Sequence, residues 1–583
     1  MSARSGWHVY AASAIAWLVA GFAAVPPLLE WIHASGLIPA ISNRPLGFFL
    51  GEWYGIVVYG FAAGTAGYVF VRGLKSPDFS ARIVPDARPS DLGAIRALVS
   101  STLLISTLWE DPASTAALPA EMMQPLGVMH LLALLPGYES VAASAGALTF
   151  LKWFTALVLF LSAIGWKARW TVPFGAVMYL ILGGWLRQYA WFYHTGLLAL
   201  YLQAVLAFLP SGRGLSIDRI RQRRRGEAVE PDVPSRRFGW ARYAVWTTMA
   251  LPYVAAGLSK LRNGGLTWWD ASNFKFILFQ STLRPMEFDF SISLELATAP
   301  PWLFEALALS ALVGELLYGL VLFSRKARWV MPVLMLLMHV GILLLQNILF
   351  FDLILLQLIY LNFRPILSAA SDRILVLDRL LAQIGAGLRS RGFFTAAPHR
   401  PAPTRSADPG RRLTVAVVVV VTACWVFRVE FYPFTGMQMF SQKRSEPVVY
   451  ERVLAHLHSG DVIRAPIEKS VPAMSDGRFR RVLARAFNPV ESHQTQAFLD
   501  VVIERWNRHA AEPDRIRRIE IQQWEWHYDS DPGSADYGHM LDRFVYPADE
   551  PAPDDASSSS QTRESSAVLV AASYFMISLP SGS

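Results

Sequence analysis

Cysteine is almost absent from this chain of 583 residues; Cys424 stands alone. One thiol excludes an intrachain disulfide and any relay that needs two sulfurs. It equally excludes a zinc site built from cysteines. Charge is scarce as well, at 17% of residues, where soluble domains carry about a quarter. With 53% hydrophobic residues and a mean hydropathy of +0.31, this deficit excludes an ordinary soluble globule. No small-residue cleavage site clearly follows the first apolar run, residues 9–29, so it reads as a span rather than a removable leader. Internal repeats are not evident either.

What is there is a series of apolar runs near the ~20 residues that a bilayer span requires. The runs fall at 9–29, 45–71, 92–108, 144–165, 171–187, 193–210, 240–261, 302–323, 329–346, 348–363 and 412–429. The stretch from Trp329 to Phe363 is too long for one span of ordinary tilt, so a turn is expected near Asn347. The fold class expected is mainly α: a polytopic helical membrane protein of about eleven transmembrane helices, with a small α+β extracytoplasmic domain at its C-terminal end.

The net charge of +8 does not point to nucleic acid. Basic residues gather in loops between apolar runs, nine arginines lying between Arg213 and Arg242 alone. That is the signature of membrane orientation. With eleven spans and a cytoplasmic N-terminus, all five basic loops (72–88, 167–169, 213–237, 325–328 and 364–412) fall inside. The part beyond residue 429 is then outside. An integral protein of a bacterial inner membrane is the expected setting.

The expected organisation is two additional helices (1–90), a main transmembrane domain (91–365), a Pro/Arg-rich cytoplasmic linker (366–411) and a last helix (412–429). An external domain (430–550) and a low-complexity tail (551–583), its polar composition expected to be disordered, complete it. In the external part, PVVYERVLAHL and RRIEIQQWEWHYD alternate as strands do, while RFRRVLARAF and TQAFLDVVIERW have helical spacing. The NFKFILFQ stretch reads as interfacial.

A few ionisable groups lie inside or at the edges of the apolar runs. Lys260 ends a span near the external face, His194 begins one at that level, and His339 falls in the middle to outer half of its own. Lys260 is either a snorkelling anchor assisted by Trp268 and Trp269, or a lysine held partly out of water and able to act as a base. The two histidines are either interfacial side chains or part of a site. Glu315 needs a partner or must stay protonated. Asp352 marks the turn.

The segment RRFGWARYAVWTTMALPYVAAGLSKL resembles the active-site region of vitamin K-dependent gamma-glutamyl carboxylase and of the wider horizontally transferred transmembrane (HTTM) domain superfamily. The matching positions are Tyr253, Ala256, Gly257, Lys260 and Leu261. Three further segments follow the family order: DLGAIRALVSSTLL with Arg96, YHTGLLALYLQAVLAFLPSGRGLSID with His194, Ser216 and Asp218, and VGELLYGLVLFSRKAR with LMHVGILLLQNILFF, carrying Glu315 and His339. Tyr193 stands where the carboxylases have Asn, Ser259 where they have a second lysine, and their large lumenal region is not recognisable.

The resemblance implies a lyase-type, quinone-dependent carboxylase. Lys260 would be the base and His194 its catalytic partner, while His339, Tyr253 and Tyr193 would border the cofactor. Reduced vitamin K or menaquinol is the implied cofactor, with CO2 and O2 as co-substrates. The implied partners are the lipid bilayer, the quinone and a protein substrate on the external face, with no nucleic acid; no metal site is implied. A non-catalytic membrane scaffold that binds a partner or lipid is the alternative. A transporter is a third reading, weakened by the lack of an inverted repeat.

Overall fold

The computed structural model describes residues 3–36, 45–190, 194–284, 288–361, 363, 409–475, 477–531, 533–534 and 537–547. Tyr193, most of the expected linker and the low-complexity tail lie outside the described residues.

The helices begin with α1 (Ala3–Val19), which passes through one π-helical turn into α2 (Val25–Ser35), and α3 (Leu46–Lys75). A central set follows: α4 (Pro89–Trp109), α5 (Ala145–Ile164), α6 (Ala168–Arg187), α7 (Leu197–Ala207) and α8 (Arg236–Gly264). Next come α9 (Ala271–Leu283), α10 (Pro301–Leu317), α11 (Ala327–Gln346), α12 (Phe351–Leu356) and α13 (Pro409–Val426).

Among the described residues, seven helical stretches are long and apolar enough to cross a membrane. They are Trp7–Ser35, Leu46–Lys75, Pro89–Ala117, Ala145–Ile164, Pro301–Leu322, Ala327–Gln346 and Pro409–Val426. The other four expected spans are helical too but fall short by length or composition. Leu197–Ala207 and Phe351–Tyr360 are short, while α6 and α8 carry arginines and other polar residues. The reason is position. Most of α6 and α8 is buried against neighbouring helices, and a helix walled by protein need not be apolar all round. The expected turn falls at Asn347, which closes α11 in the left-handed conformation at φ 58°.

The connections between helices gather at two ends of the bundle. At one, Arg328 donates to the Ile83 carbonyl, Arg242 to that of Asp86, and Ala87 bridges Ser235. Asp218 accepts the backbone N–H groups of Lys167 and Ala168 there, capping α6. At the other end, Arg478 grips Glu110 with both guanidinium nitrogens and the Phe290 N–H donates to Asn347. Four of the basic loops (72–88, 167–169, 213–237 and 325–328), remote in sequence, therefore meet on one side.

Beyond α13 lies a short hairpin, β1 (Glu430–Phe431) with β2 (Phe434–Thr435). An antiparallel sheet follows, ordered β4 (Val462–Arg464), β3 (Val448–Leu457), β5 (Ile516–Trp526) and β6 (His539–Tyr546). The two stretches with strand-like alternation pair with each other in register Val448↔Trp526 through His456↔Arg518. Val453, Ala455, Ile519 and Ile521 belong to the core shared with Phe498 and Val502 of α14 (Ser492–Asn507). Val448, Tyr450 and Trp526 instead join Phe279 of α9 in a second core.

Two local expectations are corrected. The RFRRVLARAF stretch holds only one α-helical turn, Arg480–Leu483. The NFKFILFQ stretch presents no exposed face; as α9 it is buried between α10 and the sheet, with Lys275 paired to Asp529 at 2.5 Å.

Candidate functional site

Tyr253, Gly257 and Lys260 recur at i, i+4 and i+7 on α8, which puts them in one stripe along the helix. The stripe faces α10. A β-carbon on Gly257 would lie 3.0 Å from the Leu316 side chain and 3.1 Å from its backbone nitrogen. Only glycine admits so close an approach, and that approach sets the reach of Lys260. Its Nζ donates to both carboxylate oxygens of Glu315, at 2.8 and 2.7 Å. The Trp268 ring lies 5.3 Å from the same nitrogen. Lys260 is only 4% exposed and Glu315 7%.

A snorkelling lysine keeps its ammonium in water; this one is sealed from it. The anchor at this helix end is Arg262, which donates to the carbonyls of Trp425 and Val426 at 3.0 Å and packs over Tyr59.

Two turns back along α8, the Tyr253 hydroxyl lies 2.8 Å from His339 Nε2. It also accepts a hydrogen bond from Gln357 Nε2 at 2.9 Å, and Gln357 Oε1 accepts the Tyr318 hydroxyl at 2.6 Å. Tyr253 therefore links Gln357 to His339 Nε2, with His339 Nδ1 on the other side of the ring. That Nδ1 is buried without a hydrogen-bond partner among the described residues, an expensive condition for a polar atom. The structure thus joins Tyr253 to His339 and adds Gln357 and Tyr318.

His194 sits in the turn between α6 and α7. Gly196 in this turn adopts φ 79°, and its N–H donates to Asp352 at 2.9 Å. Asp352 does more than mark a turn, because it fixes the turn that carries His194. His194 Nε2 is 3.1 Å from the Thr435 hydroxyl of the hairpin beyond α13. The same hairpin reaches the lysine turn, where the Gly436 carbonyl accepts from Ser259 at 3.3 Å. Lys260 and His194 are therefore served by one segment. They are not directly bonded to each other, since both hydrogen bonds of Lys260 go to Glu315.

A cavity of about 210 Å³ lies between α7, α8 and α13, with Tyr201, Pro252, Val417, Cys424 and Thr435 in its wall. Lys260 is not part of that wall.

Arg96 is wholly buried and donates to the carbonyls of Ser211, Ala163 and Leu215. Ser216 caps the short helix Ile217–Arg224. With Asp218, these family-matching residues hold the end of the bundle away from the site.

Residues 86–366 match the family model described as the HTTM domain. The chain carries an HTTM domain. Such domains occur in vitamin K-dependent carboxylases. No curated protein and no solved structure matches the chain.

The HTTM domain contains Lys260, Glu315, Tyr253, His339 and His194 but not the hairpin that meets His194. Thr435 and Glu430 gave no signal in the sequence, as they lie in an irregular stretch after the last apolar run. Gln357 did carry one, a lone amide within LFFDLILLQLIYL. Chemically, the arrangement offers one amine–carboxylate pair and one tyrosine–histidine pair, both buried, and one part-buried histidine–hydroxyl pair.

Proposed function

We propose that this HTTM protein is a quinol-dependent membrane enzyme of carboxylase type, with Lys260 and Glu315 as its acid–base pair. The carrying observation is the bidentate contact at 2.7–2.8 Å, buried and away from the helix-end anchor. Before Lys260 can accept a proton it must lose one, and Glu315 is placed to take it. In that transfer the Nζ–H bond breaks and an Oε–H bond forms, with no net charge moved out of the pair. A neutral amine is a competent general base.

The residues present fit a quinol. The apolar cavity has Pro252, the residue before Tyr253, in its wall, and the Thr435 hydroxyl in that wall is hydrogen-bonded to His194. A reduced naphthoquinone, when bound, would supply an ionisable hydroxyl and the electrons for oxygen-dependent chemistry, with CO2 as the carbon source. His194 would orient or protonate groups at the cavity rim through Thr435, while Tyr253 and His339, which lie outside the cavity wall, enter this proposal by family position. Tyr193 belongs to this proposal on family position alone.

The reading includes eleven crossings with the N-terminus cytoplasmic, in a bacterial inner membrane. It is supported by the grouping of four basic loops at one end. The sheet domain would then meet a protein acceptor on the outer face.

A scaffold reading is favoured by one observation: Lys260 is fully engaged with Glu315 and lies outside the cavity wall. One experiment separates the two. Oxygen-dependent consumption of reduced naphthoquinone by purified protein is followed for the parent and for Lys260→Arg. Arginine keeps the charge but cannot be deprotonated in a protein. The enzyme reading requires activity in the parent and a loss of about 10²–10⁴-fold in the variant. Equal rates reduce Lys260 to a helix tie, and an inactive parent leaves the scaffold.

A further inference from the structure

Glu430 stands just beyond the end of α13, outside the HTTM domain. The residue is exposed, yet its Oε1 turns inward to accept the Thr435 hydroxyl at 2.9 Å and the Gly436 N–H at 3.2 Å. Thr435 has one proton to give, and it goes to Glu430. Its oxygen also accepts the Met437 N–H at 3.0 Å. The remaining contact, 3.1 Å from His194 Nε2, must then be donated by the imidazole. Three groups thus form a directed chain from a sheltered histidine to a carboxylate at the surface.

The hairpin that carries this chain is firmly seated. The Tyr432 hydroxyl donates to the Leu180 carbonyl at 2.7 Å, and its own carbonyl accepts the Val128 N–H at 2.9 Å. Tyr201 donates to the Pro433 carbonyl.

We propose that Glu430, acting through Thr435, is the outer end of a proton path that discharges His194 to the face carrying the sheet domain. This rests on the acid–base reading of the site given above. When His194 has gained a proton on its other nitrogen, the Nε2–H bond breaks and an O–H bond forms on Thr435. The original hydroxyl proton passes to Glu430 Oε1. His194 is left neutral, Thr435 is unchanged, and Glu430 is a neutral acid able to release its proton to water.

The carboxyl is suited to that exchange. Although the residue as a whole is exposed, its inward-turned carboxyl is partly withdrawn from water, which pushes it up to about 7 against the hydrogen bonds from Thr435 and Gly436 that favour its ionised form. The titratable and charged groups around it are Cys424 at the end of α13, Tyr201 of α7 and Tyr432 in the hairpin turn. Arg187 of α6 lies beyond the Tyr432 ring, and Arg428 nearby in sequence is occupied by Glu52.

The test follows the protonation of His194 directly. Full-length protein with ¹⁵N-labelled histidine is placed in lipid nanodiscs, and imidazole signals are recorded against pH by solid-state NMR. The His194 signal is assigned by its loss in His194→Gln. Glu430→Gln keeps the acceptor oxygen for Thr435 and Gly436 but cannot take the proton. The His194 midpoint should fall by about one pH unit, a tenfold weaker protonation. Thr435→Val should produce a comparable change, and Thr435→Ser should restore the parent curve. An unchanged midpoint in Glu430→Gln, or a serine variant that behaves like the valine one, would overturn the path. The readout needs no turnover. Coupling found in a protein that consumes no quinol would sink the enzymatic reading while leaving the path standing.

Discussion

Lys260 and Glu315 meet across the α8–α10 contact as a two-pronged ion pair, at 2.8 and 2.7 Å, with neither side chain open to water. Breaking such a pair from one side leaves an uncompensated buried charge, which costs about 3–5 kcal/mol, whereas replacing both partners with apolar residues is often neutral. Lys260→Met should therefore destabilise the bundle strongly, and Lys260→Met with Glu315→Leu should recover most of the loss. Thermal unfolding in detergent measures both. A double variant no better than the single one would show that the pair is not the coupled unit described.

Gly257 is a sharper probe of the same contact. Alanine there would press its methyl group against the Leu316 backbone nitrogen at 3.1 Å, and a backbone atom cannot move aside cheaply. Gly257→Ala should lower the unfolding midpoint by several degrees. Gly341→Ala on α11, where nothing lies within 4 Å, should be neutral or slightly stabilising because alanine is the better helix former. Equal effects at the two positions would contradict the close approach.

Tyr253→Phe removes one hydroxyl that serves both His339 and Gln357. Each is left with a missing partner in a buried setting, and the expected cost is about 1–3 kcal/mol. The loss should exceed that of Ser310→Ala, whose hydroxyl bonds only its own helix at an exposed site. Unfolding midpoints of the two variants give the comparison.

The sheet domain is tied to the bundle through Arg478, whose NH1 and NH2 grip the two oxygens of Glu110 at 2.7 and 2.5 Å. Lysine cannot reproduce that fork. Arg478→Lys should loosen the docking and speed limited proteolysis between residues 427 and 447 by about tenfold, while the membrane helices remain protected. Unchanged cleavage would place the docking strength elsewhere, in the α9 core.

An acid sensitivity of the sheet follows from Glu520. Burial alone would raise this carboxyl, but hydrogen bonds from Gln522 and His456, with the charges of Arg543 and His456, outweigh it and hold it below its usual 4.5. A carboxyl depressed in the folded state contributes stability that is present above its unfolded value and is lost as pH falls through the folded one. The sheet should weaken below about pH 4.5, and Glu520→Gln should flatten that limb. Near-ultraviolet circular dichroism of the tryptophan-bearing strand β5 follows the transition.

Much of the architecture was legible in the sequence because its signals are local. Apolar runs of span length fell on the seven helices long and apolar enough to cross a membrane, and the over-long run from Trp329 needed a break near Asn347, where one stands. Alternating residues marked β3 and β5 because one strand face must be buried. Partnership was decided by the fold alone. Lys260 and Glu315 are 55 residues apart, and His194 and Thr435 are 241 apart. Hydropathy fixes how long a helix is and where it ends, but not its rotation about its axis nor which neighbour it touches. Those depend on close packing at points such as Gly257, so the lysine that composition alone left between anchor and base found its carboxylate only when the helices came together.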